Sequence, residues 1–187
     1  MINIILDDDD LFAITTRRLI EEHDFFDAGD NETTSFVAIK RGKAMGPNES
    51  SFTNLIAFYE FIKVITFNIM KSQLDQNKDY KKQLKTYVQL RPDEDYIDYI
   101  YQETSKMWNA ITLVFPNFSD DNAADNRNPN KPDTANMLFT PLGQKVLANL
   151  IQEITSDIDF EDNISEEDIV KKIEPLKNLP WKLREKP

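Results

Sequence analysis

Cysteine is absent from the 187 residues of this chain, and glycine is scarce, with four residues. The absence of cysteine excludes disulfides, thiolate catalysis and zinc sites with cysteine ligands. The shortage of glycine argues against a glycine-rich phosphate-binding loop and against an all-β fold with many tight turns. Histidine occurs once, at His23, which leaves it without a second histidine as a partner in catalysis or metal binding.

Positive charge is the second shortage. The chain has 22 lysine and arginine residues against 33 aspartate and glutamate residues, which gives a formal net charge of -11. The molecule as a whole therefore repels a phosphate backbone, and any contact with nucleic acid must come from a local basic patch. Alternatively, the acidic residues simply keep the surface soluble, and we favour this second interpretation.

A membrane-spanning run is also lacking. The most apolar stretch is Phe52–Met70, whose hydrophobic core is about 16 residues long and contains Glu60 and Lys63, whereas a span needs roughly 20 mostly apolar residues. The N-terminus, MINIILDDDD, has neither a basic region nor a small-residue cleavage site. We therefore predict a cytoplasmic protein without a membrane partner, in which Phe52–Met70 is a central buried helix.

Hydrophobic residues make up 40% of the chain, which is sufficient for the core of one domain. We predict a mostly α-helical single domain over residues 1–187, with five or six helices around Phe52–Met70 and one or two short strands. The candidate strands are Met1–Leu6, Thr33–Lys40 and Met137–Phe139. The non-helical parts are a flexible loop at 117–134, rich in Asn, Asp and Pro, and a charged tail at 182–187.

The helices are predicted from apolar periodicity and from capping residues. The first helix follows the four aspartates Asp7–Asp10, the central helix is capped by Ser50 or Ser51, and another covers Tyr80–Leu90. The clearest helix has Pro92 at its first position and ends at Pro116, with an apolar face formed by Ile97, Ile100, Tyr101, Met107, Trp108, Ile111, Val114 and Phe115.

Two further helices are predicted in the C-terminal third. Thr140 and Pro141 form an N-cap and first position. The buried face of that helix is predicted to consist of Leu142, Val146, Leu147, Leu150, Ile151 and Ile154. The last helix begins at a capping box of Ser165 and Asp168.

Five basic residues are the candidate contacts for nucleic acid or phosphate. Arg17 and Arg18 interrupt the polar face of the first helix and can bind a phosphate, although pairing with Glu21 and Glu22, four residues on, is the interpretation we favour. The other three residues form the basic cluster of a predicted loop, where function is often found: Lys40, Arg41 and Lys43.

No catalytic residue, cofactor or metal site is predicted. His23 lies at the edge of an apolar face and is expected to be a packed, half-exposed side chain rather than a base. The acidic run Asp7–Asp10 suits helix capping better than a hard-cation site. Acidic residues at 120–125 invite a calcium interpretation, but they lack the glycine and terminal glutamate of an EF-hand loop.

The order of five segments resembles the later part of DGQHR-domain proteins, including the DNA sulfur modification regulators of the DndB type. The segments are TTRRLIEEHDFF, SFTNLIAFYEFI, MWNAITLVFP, LFTPLGQ and KNLPWKL. The Asp-Gly-Gln-His-Arg motif that names the family is absent from this sequence, as is the strand-rich, ParB-like segment around it. The chain therefore looks like a C-terminal fragment or a truncated member of that family.

The resemblance implies a helical portion of a bacterial or phage protein associated with DNA modification or anti-phage systems. Chemistry that belongs to the missing motif is not carried over, so the expected function is binding of DNA or of a partner protein. The alternative is an acidic protein–protein interaction module without a direct role on nucleic acid, which the net charge of -11 favours. A hydrolase that uses acidic residues is a third hypothesis, and it requires carboxylates gathered in a cleft.

Overall fold

The computed structural model describes residues 10–26, 36–38, 45–46, 48–74, 82, 92–119, 123–131 and 133–182. In these ranges the chain is mostly α-helical, as the sequence predicts. The α-helices are α1 (Leu11–Glu22), α2 (Leu55–Ser72), α3 (Glu94–Val114), α4 (Ala123–Arg127), α5 (Pro141–Ile154) and α6 (Glu166–Ile173). Two short strands, β1 (Val37–Ala38) and β2 (Thr53–Asn54), pair in parallel, with Val37 opposite Thr53.

Helix α2 lies at the centre and packs against α1, α3 and α5. Buried residues recur along its whole length, and Leu55, Ile62 and Ile69 have no exposed surface. The prediction of a central buried helix is therefore confirmed. In the part of the chain that the structure describes, no helix combines the length and the apolar character needed to cross a membrane.

The start of α2 differs from the prediction. Its cap is Asn54, whose Oδ1 accepts a hydrogen bond from the backbone N–H of Ala57 at 3.0 Å, so the assignment of the cap to Ser50 or Ser51 was wrong. The reason is the pairing of β2 with β1, which holds Thr53 and Asn54 in extended conformation just before the helix. A partner strand so far away in sequence leaves no local signal in the apolar run.

Side-chain caps also begin the other long helices. Asp10 caps α1, Thr140 caps α5 with Pro141 in its first turn, and Ser165 caps α6. Pro92 precedes the N-cap of α3, which is Asp93, and is not the first helical residue that the sequence suggested. Each cap satisfies backbone N–H groups that have no partner inside the helix.

Two predictions near the start of α5 were wrong. Met137–Phe139 is a short 3₁₀ helix and not a strand. Leu142 and Val146 are 68% and 37% exposed, and the residues that face the interior are Gly143, Gln144, Leu147, Ala148 and Ile151. A Cβ atom at Gly143 would lie 2.0 Å from the carbonyl oxygen of Met137. This close approach brings Gly143 inside and turns Leu142 outward.

The segment 117–134, predicted as a loop, contains most of the 3₁₀ helix Pro116–Ser119 and all of the short helix α4 among its described residues. Helix α4 contacts the turn at Met137–Phe139 and ends at a buried arginine, Arg127. Periodicity did not indicate this helix, because five residues are too few to show a 3.6-residue repeat.

An aromatic cluster fills the core between α2, α3 and the 3₁₀ helix Asp24–Phe26 that follows α1. Trp108 of α3 is 1% exposed, and no hydrogen-bond partner is found for its Nε1 among the described residues. Its ring centre lies 5.2 to 6.2 Å from those of Phe25, Phe26, Phe36, Phe58, Phe61 and Phe118. The face of α3 that the sequence predicted as core therefore packs against other aromatic side chains.

The predicted strand Met1–Leu6 lies outside the described residues, as do the predicted helix Tyr80–Leu90, apart from Lys82, and residues 183–187 of the tail. The described part of Thr33–Lys40 contains β1.

Candidate functional site

Arg18 of α1 joins α1 to α3. Its Nε donates to Glu22 Oε1 at 3.0 Å, and its Nη1 donates to Asp98 Oδ1 at 2.6 Å. The guanidinium carbon lies 4.1 Å from the centre of the Tyr101 ring. The predicted pairing between Arg18 and Glu22 is therefore confirmed, and Asp98 and Tyr101 are partners that the sequence did not suggest.

These contacts neutralise the positive charge of Arg18. The hydrogen bond to Glu22 is the largest of the influences that raise its pKa above the ordinary value. The ring of Tyr101 covers one face of the guanidinium, a favourable cation–π arrangement. A phosphate approaching Arg18 would meet the negative charges of Glu22 and Asp98, which repel it. Arg17 is half-buried on the same helix, and its contact with phosphate stays a prediction.

The basic cluster Lys40, Arg41 and Lys43 lies outside the described residues. Residues 45–46 and 48–52, which follow this cluster in the sequence, are described, and Arg127, the last residue of α4, is hydrogen-bonded to their backbone. No pattern in the sequence indicated this role of Arg127. Arg127 is only 5% exposed.

The side chain of Arg127 donates only to backbone carbonyl groups, an arrangement that we call the Arg127 clamp. Its donors reach five carbonyl oxygens, which belong to Phe139 (2.8 Å), Glu49 (2.8 Å), Gly46 (3.3 Å), Ser51 (2.6 Å) and Phe52 (3.0 Å). Burial lowers the pKa of Arg127, and the negative charge of Glu49 opposes this effect. The planar fork of five N–H donors suits a guanidinium for this task.

Gln144 of α5 reinforces the same region. Its side-chain oxygen accepts a hydrogen bond from Thr53 Oγ1 at 2.7 Å, and its Nε2 donates to the carbonyl oxygen of Phe52 at 3.4 Å. All three residues are buried. The chain that follows the basic cluster is thus fixed from two sides, by α4 and by α5.

His23 lies at the edge of an open polar cleft between the end of α1 and α3. The cleft has a volume of about 500 Å³, and Glu22, Ser105, Lys106 and Asn109 are among the residues that line it. The imidazole Nδ1 accepts a hydrogen bond from the backbone N–H of Phe25 at 3.2 Å. Burial is the largest influence on its pKa and lowers it, while the charge of Asp24 raises it. His23 is half-exposed, as the sequence predicts.

The described ranges contain no group of three or more histidine, cysteine, aspartate or glutamate residues that would hold a metal ion. Of the acidic residues considered as cation ligands, Asp10 caps α1 and accepts a hydrogen bond from the hydroxyl of Tyr59. Asp125 pairs with Lys131 at 2.6 Å. Residues 7–9 and 120–122 lie outside the described part of the chain.

Comparison of the whole chain with protein-family models, with curated protein sequences and with solved structures finds no match.

Proposed function

We propose that this chain is the helical portion of a DGQHR, DndB-like protein and that it works by binding a protein partner in a DNA modification or anti-phage system. The family half of the proposal rests on the order of the five segments from TTRRLIEEHDFF to KNLPWKL. The choice of a protein partner over DNA rests on charge, because acidic residues exceed basic residues by 33 to 22.

The observation that carries the choice of partner is the environment of Arg18. It is one of the basic residues singled out as a phosphate contact, yet its guanidinium is paired with Glu22 and Asp98 and stacked on Tyr101. A cation with two carboxylate partners offers little attraction to a phosphate backbone. A basic protein surface, in contrast, is attracted by the excess acidic charge.

DNA binding through Lys40, Arg41 and Lys43 is the second candidate, and the Arg127 clamp is the observation that favours it. Four of its five carbonyl contacts hold the backbone of Gly46, Glu49, Ser51 and Phe52, which follow the basic cluster in the sequence. A segment that starts from a fixed point loses less conformational freedom when it binds a ligand.

Fluorescence anisotropy of a labelled DNA duplex, titrated with the full chain at about 50 mM salt, separates the two candidates, because electrostatic contacts are strongest at low salt. We expect no saturable binding. Saturable binding that is lost in the variant K40E/R41E/K43E would replace the protein-partner proposal with the DNA candidate. The matched control reverses three exposed lysines near the C-terminus, Lys171, Lys172 and Lys177, and should bind as the parent chain does.

Co-expression with the products of adjacent genes tests for the protein partner, and the complex should weaken as salt is raised, because salt screens charge attraction. The reading frame upstream of Met1 tests the family. A DGQHR motif there would support the proposed family, and a complete gene without one would contradict it.

A further inference from the structure

A shallow apolar groove runs between α2 and α5 on the outside of the molecule. Its volume is about 260 Å³, and the apolar residues that line it are Ala57, Phe61 and Val64 of α2 with Pro141 and Leu142 of α5. Leu142 is 68% exposed, and Val146, one turn further along α5, is 37% exposed. An apolar side chain therefore projects beside an apolar hollow.

The two walls of the groove carry opposite charges. Glu60 lies on the α2 wall and Lys145 on the α5 wall, and both side chains are exposed. Neither side chain forms an ion pair or a hydrogen bond within the part of the chain that the structure describes. One acidic group and one basic group at the same surface thus remain available to a partner.

We propose that this groove is the contact surface between two copies of the chain in a two-fold dimer. In a two-fold dimer the same patch of both copies forms the interface. A residue of the first copy that contacts a second residue on the partner is therefore matched by the reverse contact. The rotation sets Glu60 of each copy against Lys145 of the other copy, which makes two ion pairs. It also directs each exposed Leu142 toward the apolar hollow of the other copy, so that one surface supplies both members of each ion pair and both members of each apolar contact.

The net charge of -11 on each copy opposes this association. At physiological ionic strength, however, charges are screened over about 8 Å, so residues at the contact count more than the distant surface. At the groove the contributions of Glu60 and Lys145 cancel. The inference rests on these residues and does not depend on the proposed function.

Sedimentation equilibrium of the full chain tests the proposal. We expect a monomer–dimer equilibrium with a Kd below about 100 µM, as for a small specific interface. Leu142→Lys should weaken the dimer at least about tenfold, because it places a charge in an apolar contact. Leu113→Lys is the matched control: Leu113 is 63% exposed on α3 and does not line the groove, so this substitution should leave the Kd unchanged.

A charge exchange distinguishes a second copy from any other occupant. Glu60→Lys and Lys145→Glu should each weaken the dimer by about tenfold, since each places two pairs of like charges at the contact. The double variant E60K/K145E restores the opposite pairs and should recover most of the affinity. These residues are exposed, so circular dichroism should show an unchanged fold for all variants.

Three results would overturn the proposal: a monomer at 100 µM, equal effects of Leu142→Lys and Leu113→Lys, or a double variant weaker than both single variants. If the chain is monomeric and Leu142→Lys instead abolishes capture of a different protein, the groove belongs to that protein and the dimer is rejected.

Discussion

Arg127 and Arg18 differ in the acceptors that bind the hydrogen-bond donors of their guanidinium groups. Arg127 is 5% exposed and donates to five backbone carbonyl oxygens. The side chain of Arg18 is 25% exposed and pairs with two carboxylates while stacking on Tyr101. The first arrangement connects segments of chain through their backbone, and the second connects two helices through their side chains.

This difference indicates which of the two arginines contributes more to the stability of the fold. The carbonyl groups that lose the Arg127 donors lie at buried or partly buried positions, where the loss of a charged hydrogen-bond donor is costly in free energy. Carboxylates that lose Arg18 remain partly exposed and can bind water instead. We therefore expect substitutions around Arg127 to affect stability far more than substitutions around Arg18.

The largest effect is expected for Arg127→Met, which keeps much of the side-chain volume and removes every donor of the clamp. We expect the free energy of unfolding to fall by about 3–5 kcal/mol, because several buried or partly buried carbonyl groups each lose a hydrogen bond from a charged donor. Urea unfolding followed by circular dichroism measures this change. The control Arg127→Lys keeps the charge but not the planar fork, and it should lose at least half as much. A loss below about 1 kcal/mol for Arg127→Met would contradict the importance of the clamp.

Gly143→Ala tests the other side of the same region, because the turn that accepts a hydrogen bond from Arg127 packs against Gly143. The added Cβ would lie 2.0 Å from the carbonyl oxygen of Met137. Since that neighbour is backbone, we expect a loss of about 1–3 kcal/mol. Asn149→Ala, at an exposed position of the same helix, controls for helix propensity. Equal stability of the Gly143→Ala variant would show that the turn can move away at little cost.

Arg18→Ala should have a smaller effect, a loss of about 1 kcal/mol, because the pairs it removes lie at the surface and the Tyr101 contact adds little at a partly exposed site. A double-mutant cycle with Asp98→Ala isolates the contact between α1 and α3, and the coupling energy should be below about 1 kcal/mol. A coupling as large as the effect of Arg127→Met would remove the contrast between the two arginines.

The smallest effect concerns His23, at the end of the helix that carries Arg18. Its pKa is lowered in the folded state, mainly by burial. The unfolded chain therefore binds this proton first, and stability is complete above the unfolded pKa of about 6.5. Stability is then lost as the pH falls from that value through the folded pKa. The urea midpoints of the parent chain and of His23→Gln, compared between pH 7.5 and 5, should show a shallower decline for the variant.

Local patterns in the sequence predict much of the helical framework. Helix α3 illustrates this. Acidic residues at its start and apolar residues at steps of three and four predict a helix over Glu94–Val114 without a competing alternative. Thr140 followed by Pro141 likewise defines the start of α5. These signals succeed because capping and periodicity depend on neighbours a few residues away.

The features that the sequence did not reveal depend on distant partners. Arg127 lies among Asn, Asp and Pro residues with no periodicity, and four of its acceptors lie 75 to 81 residues earlier in the chain. The exposure of Leu142 follows from the approach of Gly143 to the Met137 backbone, which an apolar pattern cannot show. For the candidate site, the sequence identified Arg18 and Glu22 but not Asp98, 80 residues further on.

The separation along the chain between Arg127 and its acceptors has a consequence for the order of folding. Contacts between distant segments require closure of a long loop, so we expect the clamp to form after the helices have packed. A contact formed late stabilises the folded state more than the transition state. Stopped-flow measurements on Arg127→Met should therefore show faster unfolding with a nearly unchanged refolding rate. The clamp would then determine how long the folded molecule lasts rather than how quickly it forms.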